Sequence, residues 1–323
     1  MKITIILISS IVFFVALSCN DKSEPAPAKA NSPLDRSGSI IANDTNDYAP
    51  SSQWKKYWYA GKAEITTYVL QQSRYGEIHA GNLTNIFVSE DFSPAKQVKL
   101  DDPGGAGSAK IKVLKLNQVV KFVTGIYPYS MMLSSFSPID INRYPHAIKV
   151  TASSQEWCGN SFFQLNNRNN KYYVEQRSYF EKEGDQDLAI EPILLEDELW
   201  NLMRIDPTRL PKGEYPVLPG SLYLRFSHHP IAPVKARLSM ISKDSNFIYT
   251  ISYPKLNRIL NITFQKDFPY RITEWNDSYP GIDGKLLATT AVINKTMMID
   301  YWVKHKNIDS SLRADLGLPV NTQ

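Results

Sequence analysis

Phe247-Ile248-Tyr249-Thr250-Ile251-Ser252-Tyr253-Pro254-Lys255-Leu256-Asn257-Arg258-Ile259-Leu260-Asn261-Ile262-Thr263-Phe264-Gln265 is the stretch that decides the fold class. In an extended chain, Phe247, Tyr249, Ile251 and Tyr253 share one face and Ile248, Thr250 and Ser252 share the other. Leu260, Ile262 and Phe264 then alternate with Asn261, Thr263 and Gln265. Pro254-Lys255-Leu256-Asn257 between them has turn composition, so the whole reads as an antiparallel hairpin.

The same period of two recurs from Trp54 onward. Ile65, Thr67 and Val69 alternate with Thr66, Tyr68 and Leu70. Further strands are expected over 78–88, 119–124, 146–153, 161–165, 172–180 and 234–241, with 296–306 also read as extended. Lys110-Ile111-Lys112-Val113 alternates cleanly and then slips by one residue, so that Leu114 and Leu116 flank Lys115. A slip of that kind is the signature of a β-bulge. One helix stands out near 194–205. Leu195, Leu199, Leu202 and Met203, joined by Trp200, are spaced for a single helical face. Glu196, Asp197 and Glu198 open it and Arg204 closes it, as the helix dipole favours, and Pro207 ends it. A second, short helix is expected over 310–316. Many strands, one firm helix and no alternating βαβ order give a mostly antiparallel β or α+β protein built on curved sheet.

The chain ends differently at its N-terminus. Lys2 precedes an uncharged apolar run, Ile3–Leu17, and Ala16-Leu17-Ser18 places small residues before Cys19. That order is a secretory signal peptide, and the run is shorter than the roughly 20 residues of a membrane span. The cysteine after the small residue resembles a bacterial lipobox, which implies cleavage after Ser18 and lipidation of Cys19. Asn20 to about Ser52 is rich in Ala, Pro, Ser, Asn and Asp and has little to bury, so a disordered linker is expected over 19–53. The globular part is expected as a β-rich half, 54–210, and a second, 211–323, joined at the Pro-rich stretch Asp206–Pro219.

Composition narrows the function classes. The formal charge is +4, and no run of like charge appears, so nucleic-acid binding is not expected. Of two cysteines, Cys19 is committed to the anchor. Cys158 is therefore a lone thiol with no intramolecular disulfide open to it. Within Gln155-Glu156-Trp157-Cys158-Gly159 it forms a cysteine nucleophile only if a base such as His146 reaches it. A strand-like 161–165 follows, where a papain-like enzyme would have a helix, so the expected role is a shielded thiol beside a tryptophan. His228-His229-Pro230 offers at most one side chain to a given face of a strand, and the remaining histidines are scattered, so no metal site is expected. Asp101-Asp102-Pro103-Gly104-Gly105-Ala106-Gly107 lacks the Lys-Ser/Thr ending of a phosphate loop. Glu175, Glu181, Glu183 and Asp185 are expected on a solvated edge. Nothing in the sequence asks for a cofactor. Tyr57, Trp58, Tyr59, Tyr127, Tyr129, Tyr172, Tyr173, Trp275 and Tyr279 either fill a sheet core or line a groove for sugar rings or lipid.

Trp54-Lys55-Lys56-Tyr57-Trp58-Tyr59-Ala60-Gly61-Lys62-Ala63-Glu64-Ile65, Gly125-Ile126-Tyr127-Pro128-Tyr129-Ser130-Met131-Met132 and the segment around Cys158 resemble an uncharacterised group of Bacteroidota lipoproteins. So do Ser178-Tyr179-Phe180-Glu181-Lys182-Glu183-Gly184-Asp185 and Leu195-Glu196-Asp197-Glu198-Leu199-Trp200. Members often carry the label "septum formation inhibitor Maf", yet the Ser-x-Ser-x-Arg-Arg-type motif of Maf nucleotide pyrophosphatases is absent here. The resemblance implies an outer-membrane lipoprotein, at the periplasmic face or the cell surface, and no activity. The expected function is a lipid-anchored binding or structural module for an apolar ligand, a glycan or an envelope-protein partner. The alternative is an envelope hydrolase or transferase using Cys158 and His146.

Overall fold

A computed structural model describes residues 48–107 and 110–320. The signal segment, Cys19 and the linker up to residue 47 lie outside them. Helix α1 (Ser52–Trp58) leads into β1 (Ala63–Arg74), β2 (Glu77–Ser93), a two-residue β3 (Val98–Lys99), β4 (Ile111–Thr124) and β5 (Tyr127–Pro138). Then come β6 (Lys149–Glu156), β7 (Gly159–Arg168), β8 (Lys171–Arg177), β9 (Gln186–Ile190) and β10 (Leu194–Leu195). Helix α2 (Glu196–Ile205), β11 (Gly213–Leu218) and α3 (Ser221–Ser227) follow. The chain continues through β12 (Val234–Lys243), β13 (Asn246–Tyr253), β14 (Arg258–Gln265), β15 (Ile272–Pro280) and β16 (Leu286–Ile299) to a one-turn α4 (Leu312–Asp315).

Among the described residues these sixteen strands form one sheet, in the order β10-β11-β12-β13-β14-β15-β16-β1-β2-β4-β5-β6-β7-β8-β9, with β3 beside β2. The fold is mostly antiparallel β, as its alternation predicts; only the two-residue β10–β11 contact is parallel. The sheet is open, because β9 and β10 are its edges. They are also consecutive in the chain, and residues 191–193 between them span at most about 14 Å. The sheet has therefore curled until its edges nearly meet. Side chains rather than a ladder close that seam: Val174 of β8, Leu195 of β10 and Leu218 of β11 share one apolar cluster. Tyr172 also donates to the Ile193 carbonyl across it at 2.9 Å.

A sheet of this many strands encloses more space than its own side chains fill, and α2 occupies that space. Its Asn201 amide donates to Leu114 O on β4 and Ser135 O on β5 at 2.9 and 3.1 Å, while Trp200 meets Trp275 of β15 edge to face. Nine of its ten residues are buried, including Glu196, Asp197, Glu198 and Arg204. A single apolar stripe was the expectation; instead the helix is surrounded, and its charges answer to the wall rather than to solvent. The Glu198 carboxylate does cap the helix, accepting from Leu195 N at 3.0 Å.

The hairpin forms as read. Tyr249 pairs with Ile262, Ile251 with Leu260 and Tyr253 with Arg258, and the turn residue Asn257 takes φ +48°. Three expectations fail. The slip at Val113 and Leu114 is no bulge, since β4 pairs with β2 in unbroken register. Both side chains are buried because both faces of the strand are covered there: Leu114 lies in the main core and Val113 in a small outer cluster with Phe92, Ile111 and Ile148. The linker ends earlier than Ser52, for Tyr48 N donates to Asp140 and α1 plants Trp54 and Trp58 in the core. Residues 301–303 form a helical turn rather than prolonging a strand. The Pro-rich stretch after α2 contributes β11, and strands from both sides of it belong to the one sheet.

Candidate functional site

In a meander, every second turn falls at the same end of the sheet. The β1–β2, β13–β14 and β15–β16 turns gather in this way around α3, and a cleft of about 350 Å³ opens between them. Its wall carries Arg74 and Tyr75 from β1–β2, Lys255 and Asn257 from β13–β14, and Tyr279 and Lys285 from β15–β16. Tyr223, Phe226 and His229 come from α3 and the residues after it, and His229 stacks on Tyr223.

Tyr223, Phe226 and Tyr279 also face inward, where they border a space of about 80 Å³ together with Gln118, Leu222 and Trp275. A further space of about 80 Å³ shares Gln118, Leu222 and Trp275 with the first and reaches Glu196, Asp197 and Arg258. The three aromatic rings thus separate an outer cleft from inner hollows.

The base of the inner hollows is an ion-pair network. Arg258 donates to both oxygens of Glu196 at 2.7 Å and to both oxygens of Asp277 at 2.8 and 2.9 Å. Tyr253 donates to Glu196 at 2.7 Å, and the Arg258 guanidinium lies 3.9 Å from the Tyr223 ring centroid. With two carboxylates bonded to that guanidinium, the third acid, Asp197, feels its charge only at a distance and has no ion-pair partner among the described residues. Burial and the neighbouring Glu196 push Asp197 up to about 7, against the hydrogen bond it accepts from Ser221 N. Gly220 is required here, because a Cβ would stand 2.5 Å from the Glu196 carboxylate.

Arg74 is the other unusual cation. It is 8% exposed, donates to Phe226 O at 2.9 Å, and lies over the Tyr75 and Phe226 rings at 4.6 and 4.7 Å. The Tyr75 hydroxyl is 2.8 Å from that of Tyr129. Burial raises the Tyr75 pKa, but hydrogen bonds from Tyr127 and Tyr129 and the charge of Arg74 outweigh it and hold that hydroxyl below its usual value.

The residues singled out from sequence fall elsewhere. Cys158 and Trp157 form the exposed turn between β6 and β7, so the expected shielded thiol is wrong. The strand-like 161–165 is β7 itself, and a tight hairpin turn leaves nothing to cover the sulfur. His146 precedes β6 while Cys158 follows it, and eight strand residues hold them about 26 Å apart. No nucleophile–base pair forms between them. His146 instead meets Glu198 at 3.0 Å, and although burial lowers its pKa the facing carboxylate outweighs this and raises it. His228 bonds to Glu183, and among the described residues no group of three or more His, Cys, Asp or Glu could hold a metal ion. Glu183 is not on a solvated edge but packs against His228 and Arg225. Of the aromatic residues, Tyr279 lines the cleft, while Trp58, Tyr129, Tyr172 and Trp275 fill the interior. Arg74, Lys255, Lys285 and Arg258 belong to none of the candidate-site motifs above.

The chain is a mostly β protein built on one large curved sheet, with an open recess at its α3 end. No family model matches the chain, and no curated protein matches it. Among solved structures it is similar to a β-barrel-like protein of domain of unknown function DUF1849 from Brucella abortus, with TM-score 0.43 and 8% identity over 73% of this chain and 98% of that one. No helix among the described residues is long and apolar enough to cross a membrane.

Proposed function

We propose that this chain is a binding module of the bacterial envelope, anchored by lipid on Cys19, that takes a small apolar or glycan ligand into the cleft beside α3. The observation that carries the reading is the recess itself. An opening of about 350 Å³ sits within the range of small-ligand sites, and three aromatic rings at its back offer faces on which a sugar or an apolar group stacks. The separation of Cys158 from His146 removes the support for the enzymatic alternative. Anchoring follows from the Lys2-to-Cys19 pattern and from the resemblance to Bacteroidota lipoproteins.

Native mass spectrometry of the full-length protein, extracted from its own envelope in mild detergent, tests the binding. A small molecule should be retained by the wild type and lost from Leu287→Trp, which puts an indole into the cleft wall. A wild type that retains nothing, or a variant that retains the same molecule, overturns the reading. Fatty-acid labelling tests the anchor, since Cys19→Ser should abolish it.

A further inference from the structure

We infer that the ligand of this cleft carries an oxyanion of the phosphate type, read by Arg74 from inside the wall and by Lys255 from the rim. This deepens the binding proposal and rests on it.

The charge balance of the cleft points to an anion. Its lining includes Arg74, Lys255, Lys285 and His229 and no aspartate or glutamate. Asp283 stands at the rim, against Gly76 and 3.7 Å from Lys285, so it offsets one of those charges and leaves Arg74 and Lys255. Arg74 is the decisive residue. It is the kind of side chain almost never buried without a partner, yet among the described residues it pairs with no carboxylate, and its buried Nε has no hydrogen-bond partner. The other deeply buried arginines differ: Arg204 faces Glu64 at 2.8 Å and Arg258 faces Glu196 and Asp277. At Arg74, the rings of Tyr75, Phe226 and, at 5.8 Å, Tyr129 together with one carbonyl compensate the charge in part, and none of them is an anion. An arriving oxyanion would supply the missing acceptor, and the planar guanidinium suits phosphate geometry.

The larger recess beside Trp58 and Trp302 does not have this character. It is about 530 Å³, but Glu90, Asp91 and Asp101 line it alongside Lys62, Lys99 and Lys115, so its charges balance within the wall, and Lys115 is bonded to Glu90 at 2.6 Å.

Phosphate of this kind arrives free, on a sugar or on a lipid headgroup, and the probes separate the three. Full-length protein in a non-ionic detergent is titrated calorimetrically with inorganic phosphate, glucose 1-phosphate and dihexanoyl phosphatidylglycerol. Glucose and dihexanoyl glycerol serve as the uncharged counterparts. At least one phosphate probe should bind saturably, and more tightly than its counterpart; which one binds identifies the source. Arg74→Gln should weaken it about tenfold, as loss of a charge-assisted hydrogen bond does, and Lys255→Gln several-fold. Lys255 is an exposed turn residue, so its variant folds whatever becomes of Arg74→Gln.

Equal binding of the uncharged probes overturns the anion assignment while leaving the binding reading standing. So does a retained native ligand with no anionic group. Failure of all three phosphate probes, or full affinity in both variants, also overturns it. A wild type that retains no molecule and binds no probe sinks both proposals.

Discussion

Arg258 and Glu196 meet as a doubly bonded ion pair inside the curled sheet, each arm 2.7 Å long and both side chains under 5% exposed. The pair ties the start of β14 to the first residue of α2. It is therefore a joint between the wall and the helix that fills it.

Removing the cation should be costly, because Glu196 would stay buried, and Asp277 half-buried, without their partner. Breaking such a pair on one side costs about 3–5 kcal/mol. Arg258→Met is expected to lose that much in urea unfolding, and Arg258→Lys less, since it keeps the charge but not the planar fork. A loss below about 1 kcal/mol for Arg258→Met would mean that the interior relaxes or admits water.

Acidity should stabilise the fold between about pH 4 and 7. Asp197 keeps its proton up to about pH 7 when folded, whereas in the unfolded chain it loses it near pH 4. Over that window the native state binds more protons, so stability falls as pH rises, by at most about 1.4 kcal/mol per unit. His146 acts in the same direction: its raised value stabilises the fold below the unfolded value, and that contribution is lost as pH rises through the folded one. Glu64 opposes them only at the acid end. Burial raises its pKa, but Arg204 outweighs this and depresses it, so its contribution is lost as pH falls. Urea midpoints at pH 5, 6 and 7 should decline in the wild type and less steeply in Asp197→Asn, where only His146 still acts in that direction. An equally steep decline in the variant would place the titrating group elsewhere.

Leu199 tests the helix as filler. It is 0% exposed and packs in the main core, so Leu199→Ala should cost about 2–5 kcal/mol. A cost under about 0.5 kcal/mol would show that the neighbouring side chains close the gap.

How far the sequence could lead is clearest at Arg258. The alternation that turns Leu260 and Ile262 inward turns Arg258 inward too, so an interior cation is legible beside the hairpin. Trp54 and Trp58, four apart after Ser51, likewise carried the signal of α1. The acids of α2 misled for a physical reason. Glu196, Asp197 and Glu198 match a helix dipole equally well in solvent or in the interior, and only their partners, Arg258, Ser221 and Ala147, decide between the two. The cleft was illegible for a different reason. Arg74, Lys255 and Lys285 lie on three turns far apart in the chain, and only the sheet order brings those turns together. Cys19 falls outside the described residues, so its role still rests on the sequence.

Cys158 offers the sharpest reversal. Its flanking tryptophan and following strand argued for burial, yet Trp157 is 68% exposed and the thiol is exposed beside it. The pattern of period two held for β6 and β7; what failed was the assumption that an apolar neighbour implies cover, since a two-residue turn projects both side chains outward. Reaction of a thiol requires access as well as ionisation, and access here does not depend on unfolding. Native protein should therefore be alkylated at neutral pH about as fast as protein in urea, and Cys158→Ser should change stability by no more than about 0.5 kcal/mol, as exposed substitutions do. Mass spectrometry of the modified chain follows the first and urea unfolding the second. A native thiol that stays unmodified until the chain unfolds would show that the β6–β7 turn is covered in solution.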